Sequence, residues 1–219
     1  MDILSNKQFT TLIQDEHAII LSDSKAGPKV LKMQNGDIIK IFYDTPKIPL
    51  STPHALRFNR SAQILKTAGF LAPKIKSLQY YPTQKAYVMI YSEIPGQDFR
   101  SLSSKAHPEV LGKLPSFLAS LHQKGIFYRG IHLGNVLLTP AQEIALVDIT
   151  NVSNSNKPLS LKQRAKNLAH FVYYWRDVVV FTAYSRRRFL DEYARAAKLN
   201  TEVLRQLRHL IALRLKNKS

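Results

Sequence analysis

The stretch LHQKGIFYRGIHLGNVLLTPAQEIALVDITN, residues 121–151, constrains the fold more than any other part of the chain. Gly125 stands where a C′ residue would close the last turn of a helix in the left-handed conformation. Two short apolar runs follow, at residues 136–138 and 144–147, and the segment TPAQE joins them as a hairpin loop. The sequence therefore predicts a helix end, a loop and a two-stranded hairpin in this stretch.

Two polar side chains flank the predicted hairpin. Asn135 lies immediately before the first strand, and Asp148 follows the second strand. Because the strands of a hairpin are antiparallel, these two positions lie at the same end of it. An amide oxygen and a carboxylate are hard oxygen ligands of the kind that hold Mg²⁺ together with phosphate groups. We therefore expect Asn135 and Asp148 to form a metal site.

The same stretch resembles the protein-kinase-like superfamily. His122, Arg129, Asn135 and Asp148 fall where that superfamily has its LH, HRD…N and DFG elements. The segment IHLGN, residues 131–135, is similar to the shorter branch, which holds aminoglycoside phosphotransferases, RIO-like kinases, lipopolysaccharide core (Kdo/heptose) kinases and toluene-tolerance-type proteins. The chain looks most like the last two groups. The resemblance implies an ATP- and Mg²⁺-dependent phosphotransferase.

The chain departs from the superfamily pattern at two places. Gly130 stands at the position of the catalytic Asp, and Tyr128 stands at the position of the His of HRD. The predicted helix at residues 53–68 carries no acidic residue, whereas a kinase helix here carries a Glu that holds the strand lysine. Both departures favour a protein with impaired catalysis.

Two neighbours of Gly130 are candidates for catalytic roles. His132 is the nearest group that is able to take a proton, and Arg129 is placed to steady a transferring phosphate. A structural reading of His132 is also open, in which the ring makes a hydrogen bond that holds the loop. His122 is expected to be a hydrogen-bonded core residue, as in the family's LH element.

The resemblance implies an α+β, two-lobed protein-kinase-like fold. We expect a small antiparallel β N-lobe at residues 1–92 with one main helix, and a mainly helical C-lobe at residues 93–219. The C-lobe contains the catalytic-loop-like hairpin 126–151. Glu93 and Ile94 open a segment, EIPGQD, that resembles the hinge where backbone groups meet adenine. A plain inter-lobe turn is the alternative for this segment.

A strand lysine precedes these motifs. In the run IIKIF, residues 38–42, alternation puts Ile39 and Ile41 on one face and Lys40 on the other, among apolar neighbours. A charge in such a place needs a partner. The resemblance implies that Lys40 binds the α- and β-phosphates of ATP. The alternative is an edge-strand lysine whose amine reaches water.

Three local patterns make further predictions. Asn35-Gly36 between apolar runs predicts a type I′ hairpin turn. The apolar periodicity of residues 108–124 predicts one helix with a kink at Pro115. From residue 161 onward the chain is predicted to be helical, with Arg and Lys outside and six apolar residues packed inward: Leu168, Phe171, Val172, Trp175, Val178 and Val179.

Charge indicates the kind of partner. The 32 Lys and Arg residues exceed the 15 Asp and Glu residues, so the formal net charge is +17. Such a charge favours polyanions, namely nucleic acid, anionic lipid or a phosphorylated glycolipid. The basic residues concentrate between residues 157 and 218. The resemblance selects an anionic glycolipid of the lipopolysaccharide core, whereas RNA is supported by charge alone.

Location is indicated by what the sequence lacks. There is no cysteine, which excludes disulfides and thiolate metal sites and fits a reducing compartment. No apolar signal segment is visible at the start, and Arg176 and Asp177 interrupt the most apolar stretch, 171–184. We expect a cytoplasmic protein that is soluble or peripheral on the inner membrane.

Two functions from different classes fit these residues. The first is a kinase that transfers phosphate from ATP to a sugar hydroxyl of a glycolipid. The second is a pseudokinase that acts as a nucleotide- or partner-binding module in envelope biogenesis. Asn135, Asp148 and Lys40 favour the first function, whereas Gly130 and the acid-free helix favour the second.

Overall fold

The structure is a computed structural model that describes residues 1–43, 52–105 and 108–216. Six strands form its larger sheet in the order β1-β5-β6-β4-β3-β2, and all neighbouring strands are antiparallel except β1 and β5. The strands of this sheet are β1 (Asp2–Ile3), β2 (Ile19–Ser24), β3 (Gly27–Lys32), β4 (Asp37–Phe42), β5 (Ile75–Tyr81) and β6 (Ala86–Ser92). Two helices accompany the sheet, α1 (Asn6–Ile13) and α2 (His54–Thr67).

Strand β4 has the predicted alternation. Ile39 and Ile41 are buried in a small core beneath α1, where they meet Phe9. Phe42 points to the other face and joins the main core of the molecule. Lys40 shares that second face because successive side chains of a strand alternate between its two sides. Strand β4 therefore directs the Lys40 side chain to the face on which the main core lies.

The turn between β3 and β4 differs from the prediction. Met33 N–H donates to Asp37 O (2.8 Å), which leaves three loop residues, and Gly36 N–H donates to Met33 O (3.0 Å). Gly36 has a φ of +80° but Asn35 does not have a positive φ, so the type I′ prediction is wrong. Asn35 instead accepts a hydrogen bond from Asp37 N–H at 2.9 Å. A three-residue loop with glycine in the left-handed position results.

The second half of the chain is mostly helical. A three-stranded sheet and a two-stranded sheet lie among the helices. The helices are α3 (Phe99–Lys105), α4 (Leu114–Gln123), α5 (Leu161–Val172), α6 (Val178–Tyr184), α7 (Arg186–Ala196) and α8 (Thr201–Lys216). The strands are β7 (Gln97–Asp98), β8 (Ile126–Tyr128), β9 (Val136–Leu138), β10 (Ile144–Leu146) and β11 (Val152–Asn154).

The helix predicted at residues 108–124 is divided into two parts. A 3₁₀ segment covers Pro108–Lys113, and α4 begins only at Leu114. Pro115 therefore lies in the first turn of α4 and does not kink a longer helix. A proline in the first turn costs no helical hydrogen bond because the amide there has no partner within the helix.

The main core connects the sheet to the helices. Phe58 and Leu65 of α2 are buried in the same cluster as Leu118 of α4 and Phe171 of α5. The α+β architecture predicted from the sequence is confirmed. The boundary predicted between residues 92 and 93 stays a prediction, since this core includes residues from both sides of it.

The C-terminal helices pack differently from the prediction. Leu168, Phe171 and Val172 are buried as expected, but Trp175 is 70% exposed and Val179 is 80% exposed. The predicted inward position of Val178 is also wrong, since it too is exposed. The cause is the end of α5 at residue 172, after which a 3₁₀ turn at Trp175–Asp177 leads into the seven-residue helix α6.

One predicted surface arginine lies inside. Arg164 is buried, and its Nε donates to Leu159 O at 2.8 Å while Nη1 donates to the Tyr193 hydroxyl at 3.4 Å.

Within the described ranges, no helix is both long enough and apolar enough to span a bilayer.

Candidate active site

Asn135 and Asp148, the two predicted metal ligands, lie at the same end of the hairpin of β9 and β10. Gly125 ends the preceding helix with a φ of +73°, as predicted. A 3₁₀ turn at Leu133–Asn135 leads into β9, and Val147 N–H after β10 donates to Asn135 O at 3.0 Å. This backbone bond places Asn135 beside the residue that precedes Asp148.

Asp148 meets Lys40 across the cleft between the sheet and the helices. Lys40 Nζ lies 2.6 Å from Asp148 Oδ1, with 17% of the lysine side chain and 58% of the aspartate side chain exposed. The amine also lies 5.0 Å from the ring centre of Phe58 and 5.5 Å from that of Phe42. The acid-free helix α2 therefore contacts Lys40 through an aromatic ring, which attracts a cation through its π face.

The backbone at Asp148 is strained and held in place by Tyr128. Asp148 has a φ of +52°, a left-handed conformation that costs an ordinary residue about 1–3 kcal/mol. The buried Tyr128 hydroxyl lies 2.8 Å from Val147 O and 3.0 Å from Asp148 O. Burial raises the pKa of Tyr128, so its hydroxyl keeps its proton and donates to these carbonyls. Tyr128, which stands where the superfamily pattern has its His, thus supports Asp148, a predicted metal ligand.

Asn135 is oriented by the loop that it follows. Its Nδ2 donates to Gly130 O at 3.2 Å, which leaves the amide oxygen for a ligand. A Cβ added at Gly130 would lie 3.5 Å from a ring carbon of Tyr128, an ordinary contact distance. A β-carbon therefore has room at this position.

His132 is half-buried at the cleft wall, and its ring is held on two sides. Arg100 Nη2 lies 3.2 Å from His132 Nδ1, and Tyr174 stacks on the imidazole with 4.4 Å between ring centres. The pKa of His132 is lowered, mainly by burial and to a smaller extent by the charge of Arg100. Because arginine only donates, Nδ1 accepts and the proton of the neutral ring is on Nε2. The atom facing away from Arg100 is thus a donor in this arrangement.

Arg100 is part of a hydrogen-bonded network that holds this loop and that the sequence analysis missed. Asp177 is 0% exposed, and its two oxygens accept from Arg100 Nε at 2.5 Å and from Leu133 N–H at 2.9 Å. The guanidinium also packs against Gly134, where any side chain would collide with it. The signal in the sequence is a carboxylate inside the apolar stretch 171–184, which by composition argues only against a membrane span.

His122 is the structural histidine that the sequence predicts. It is fully buried, with Nδ1 2.8 Å from the Tyr193 hydroxyl and Nε2 3.0 Å from Asn167 Oδ1. Asn167 in turn donates to Tyr128 O at 2.7 Å. Burial lowers the pKa of His122 to about 4. A neutral histidine thus connects the C-terminal helices to the catalytic-loop-like segment.

The candidate site is a cleft of about 1090 Å³ between the sheet and the helical half. Five of the predicted site residues line it, and Tyr174 and His170 of the helical half complete its wall. The five are Lys40, Gly130, His132, Asn135 and Asp148.

The structure does not bring the other three predicted residues to this wall. Arg129 is exposed and lines a separate cavity beside the loop. Glu93 pairs with Lys32 at 2.8 Å, and its backbone N–H donates to Gly36 O at 2.9 Å. That amide is already bonded within the sheet region, and neither Glu93 nor Ile94 is among the residues that line the cleft.

The sheet and the helical half form two lobes with a cleft between them, and Lys40, Asn135 and Asp148 line this cleft. The arrangement of the two lobes is a kinase-like fold. A solved structure of the bifunctional kinase-methyltransferase WbdD is similar to this chain, with a TM-score of 0.50 and 17% sequence identity. The match covers 84% of this chain and 46% of that one, so the chain spans less than half of that protein. No protein-family model matches the chain, and no curated protein matches it in sequence.

Proposed function

We propose that the protein binds ATP with Mg²⁺ in this cleft and transfers phosphate to a sugar hydroxyl of an anionic glycolipid. The observation that carries the proposal is the meeting of Lys40, Asn135 and Asp148 in one cleft of a kinase-like fold. The similarity to a protein named a kinase-methyltransferase supports the phosphotransferase class.

The side chains present fit a nucleotide-bound Mg²⁺. Asp148 keeps one oxygen beyond the one that Lys40 contacts, and Asn135 keeps its amide oxygen. Mg²⁺ in kinase sites is held by one or two protein oxygens together with the phosphates, and it neutralises the charge that develops in the transfer. Lys40 is placed to leave Asp148 for an α- or β-phosphate oxygen when nucleotide enters.

The transfer itself needs little covalent help from the protein. Positioning and charge neutralisation supply most of the rate, whereas a general base contributes about 10²–10⁴-fold. Gly130 provides no base, and His132 in its present tautomer offers Nε2–H as a donor. In our proposal His132 therefore orients the acceptor or a phosphate oxygen by donating a hydrogen bond.

The acceptor proposal is supported by the surface beside the cleft. Tyr174 lines the cleft, and its neighbours Tyr173, Trp175, Val178 and Val179 are exposed. Arginine side chains cover two of these rings: Arg176 lies 4.7 Å from the ring centre of Trp175, and Arg186 lies 4.8 Å from that of Tyr173. Apolar rings beside cations suit the anionic, partly apolar boundary of a glycolipid layer.

Titration with a non-hydrolysable ATP analogue, with and without Mg²⁺, tests the cleft. We expect Mg²⁺ to strengthen binding to the natural chain and Asp148→Asn to remove that Mg²⁺-dependent gain. Glu16→Gln, which removes one exposed acidic charge elsewhere, is the matched control and should retain the gain. An Mg²⁺ effect of equal size in Asp148→Asn would remove the metal-site assignment.

The acceptor is tested with purified lipopolysaccharide core and with RNA at several salt concentrations. We expect salt-sensitive binding to the core glycolipid and weaker binding to RNA, because screening weakens contacts between a basic surface and phosphates. Preferential binding of RNA would overturn the glycolipid proposal and leave the nucleotide cleft untouched.

A second candidate function is a nucleotide-binding module without turnover. Gly130 and the Arg100-bound tautomer of His132 favour it, because neither offers a free base. Gly130→Asp separates the two functions, and the β-carbon that it adds has room beside Tyr128. Turnover by the natural chain on the core acceptor supports the enzyme, whereas turnover only in Gly130→Asp supports the module.

A further inference from the structure

A second cavity lies beside the catalytic-loop-like segment. It measures about 350 Å³ and lies between α2, β8 and β11. The Ser61 hydroxyl of α2 donates to Val152 O of β11 at 3.4 Å, and this bond joins two of its walls. Three arginines line the cavity, Arg57, Arg60 and Arg129, and none of its lining residues, all within the described part of the chain, is acidic.

One of these arginines has a nitrogen without a partner. Arg57 Nε is buried and has no hydrogen-bond partner among the described residues. A buried donor without a partner is destabilising, because it has lost its hydrogen bonds to water and gained none in return. Arg60 and Arg129, both exposed, line the same cavity, and the amine of the exposed Lys166 lies 5.5 Å from the ring centre of the lining residue Phe127. An anion in the cavity would offset this excess of positive charge.

The remaining polar groups of the cavity suit an oxyanion. Thr150 and Ser153 contribute hydroxyl groups to the lining, and Asn151 and Asn154 contribute amides. Arginine presents N–H donors in a fork that matches the spacing of phosphate oxygens. Arginines with hydroxyl and amide donors around one cavity are the groups that a tetrahedral oxyanion needs.

We propose that this cavity is a binding site for a phosphate group, carried by inorganic phosphate or by a small phosphomonoester. The site is distinct from the nucleotide cleft, although the two cavities share Thr150 and Asn151 in their walls. Arg129, which the sequence analysis placed at the transferring phosphate, belongs to this site. A bound phosphate would hold the loop that carries Gly130 through the neighbouring Arg129.

Calorimetric titration of the full chain tests the site, without nucleotide and with a chelator present. The probes are inorganic phosphate, glucose 6-phosphate and, as the uncharged comparison, glucose, all at one ionic strength. Tighter binding of glucose 6-phosphate would identify the phosphomonoester as the occupant, whereas equal binding would identify phosphate alone. We expect Arg57→Gln and Arg129→Gln to weaken phosphate binding by roughly tenfold or more, since each removes a charged hydrogen-bond donor.

Two controls make the result specific. Arg195→Gln removes the same charge from an exposed position on α7, and Lys40→Met disables the cleft; both should bind phosphate as the natural chain does. The melting temperature of Arg57→Gln without phosphate should be no lower than that of the natural chain, because the variant removes repulsion and an unpartnered donor.

Three outcomes would overturn the site. These are no phosphate binding by the natural chain, unchanged affinity in Arg57→Gln and Arg129→Gln, and loss of binding in Lys40→Met alone. Because nucleotide is absent throughout, a failure of the proposed nucleotide function does not change any of these readouts.

Discussion

Two aspartates on either side of the same loop behave in opposite ways. Asp177 is completely buried, and both of its oxygens are used by Arg100 and by the Leu133 amide. The Asp148 side chain is 58% exposed and sits on a strained backbone, and within the described residues its carboxylate is bonded to Lys40 alone. A carboxylate whose bonds are all made inside the protein serves the fold, whereas one that is exposed and held at a cost is available to a ligand.

Two histidines ten positions apart repeat the contrast. His122 is buried with both ring nitrogens bonded, and its neighbours come from α5 and α7. His132 is half-buried on the cleft wall, with one nitrogen held by Arg100. In each pair one side chain is buried with its hydrogen-bonding atoms all used, and the other is more exposed with some of them unused. Mutation of the first should change mainly the stability, and mutation of the second should change mainly ligand binding.

The largest effect is expected from Asp177→Ala. This change leaves the Arg100 guanidinium without its partner and the Leu133 amide without an acceptor, which should lower the free energy of unfolding by about 3–5 kcal/mol. Urea denaturation measures it. Glu202→Ala, which breaks an exposed pair with Arg205, is the comparison and should change stability little. A small loss in Asp177→Ala would break the contrast between the two aspartates.

The next effect is a pH dependence from His122. Its folded-state pKa of about 4 lies below the value of 6.5 in the unfolded chain, so the unfolded state binds the proton first as pH falls. The stabilisation is complete above pH 6.5 and is lost as pH falls toward 4, by about 3 kcal/mol in all.

The His122 prediction is checked by urea denaturation at several pH values. His122→Gln should be less stable than the natural chain at neutral pH, and its stability should fall less steeply as the solution is acidified. Parallel pH curves for the two proteins would mean that His122 is not the buried neutral group described above.

The smallest effect on stability is expected from Asp148→Asn. The lost ion pair is mostly exposed, and asparagine tolerates the left-handed conformation well, so the free energy of unfolding should change by less than about 1 kcal/mol. Urea denaturation beside the nucleotide titration gives both quantities. A large loss of stability would show that Asp148 serves the fold, as Asp177 does. It would then count against Asp148 as the residue that holds a metal.

Several features were predictable because they depend on neighbours in the chain. The alternation of β4 put Lys40 opposite Ile39 and Ile41. The hairpin of β9 and β10 followed from two apolar runs and a loop. Local periodicity sets these elements, so a single sequence contains the information.

Other features required the folded chain. The turn at Asn35 and Gly36 depended on which residues paired across it, and the exposure of Trp175 depended on where α5 ended. The place of Arg129, outside the cleft, was set by the strand β8 that precedes it and by its backbone bond to Asn151. Each of these outcomes rests on a contact that residue spacing does not specify.

The sequence by itself determined the basic charge and the placing of two oxygen-bearing side chains, Asn135 and Asp148, at one end of a hairpin. Only the tertiary structure decided that Asp177 supports the loop through Arg100 and that three arginines share a second cavity. The physical reason is distance along the chain. Patterns of period two or 3.6 report which face a residue takes, but the partner on that face comes from a remote segment that packing alone selects.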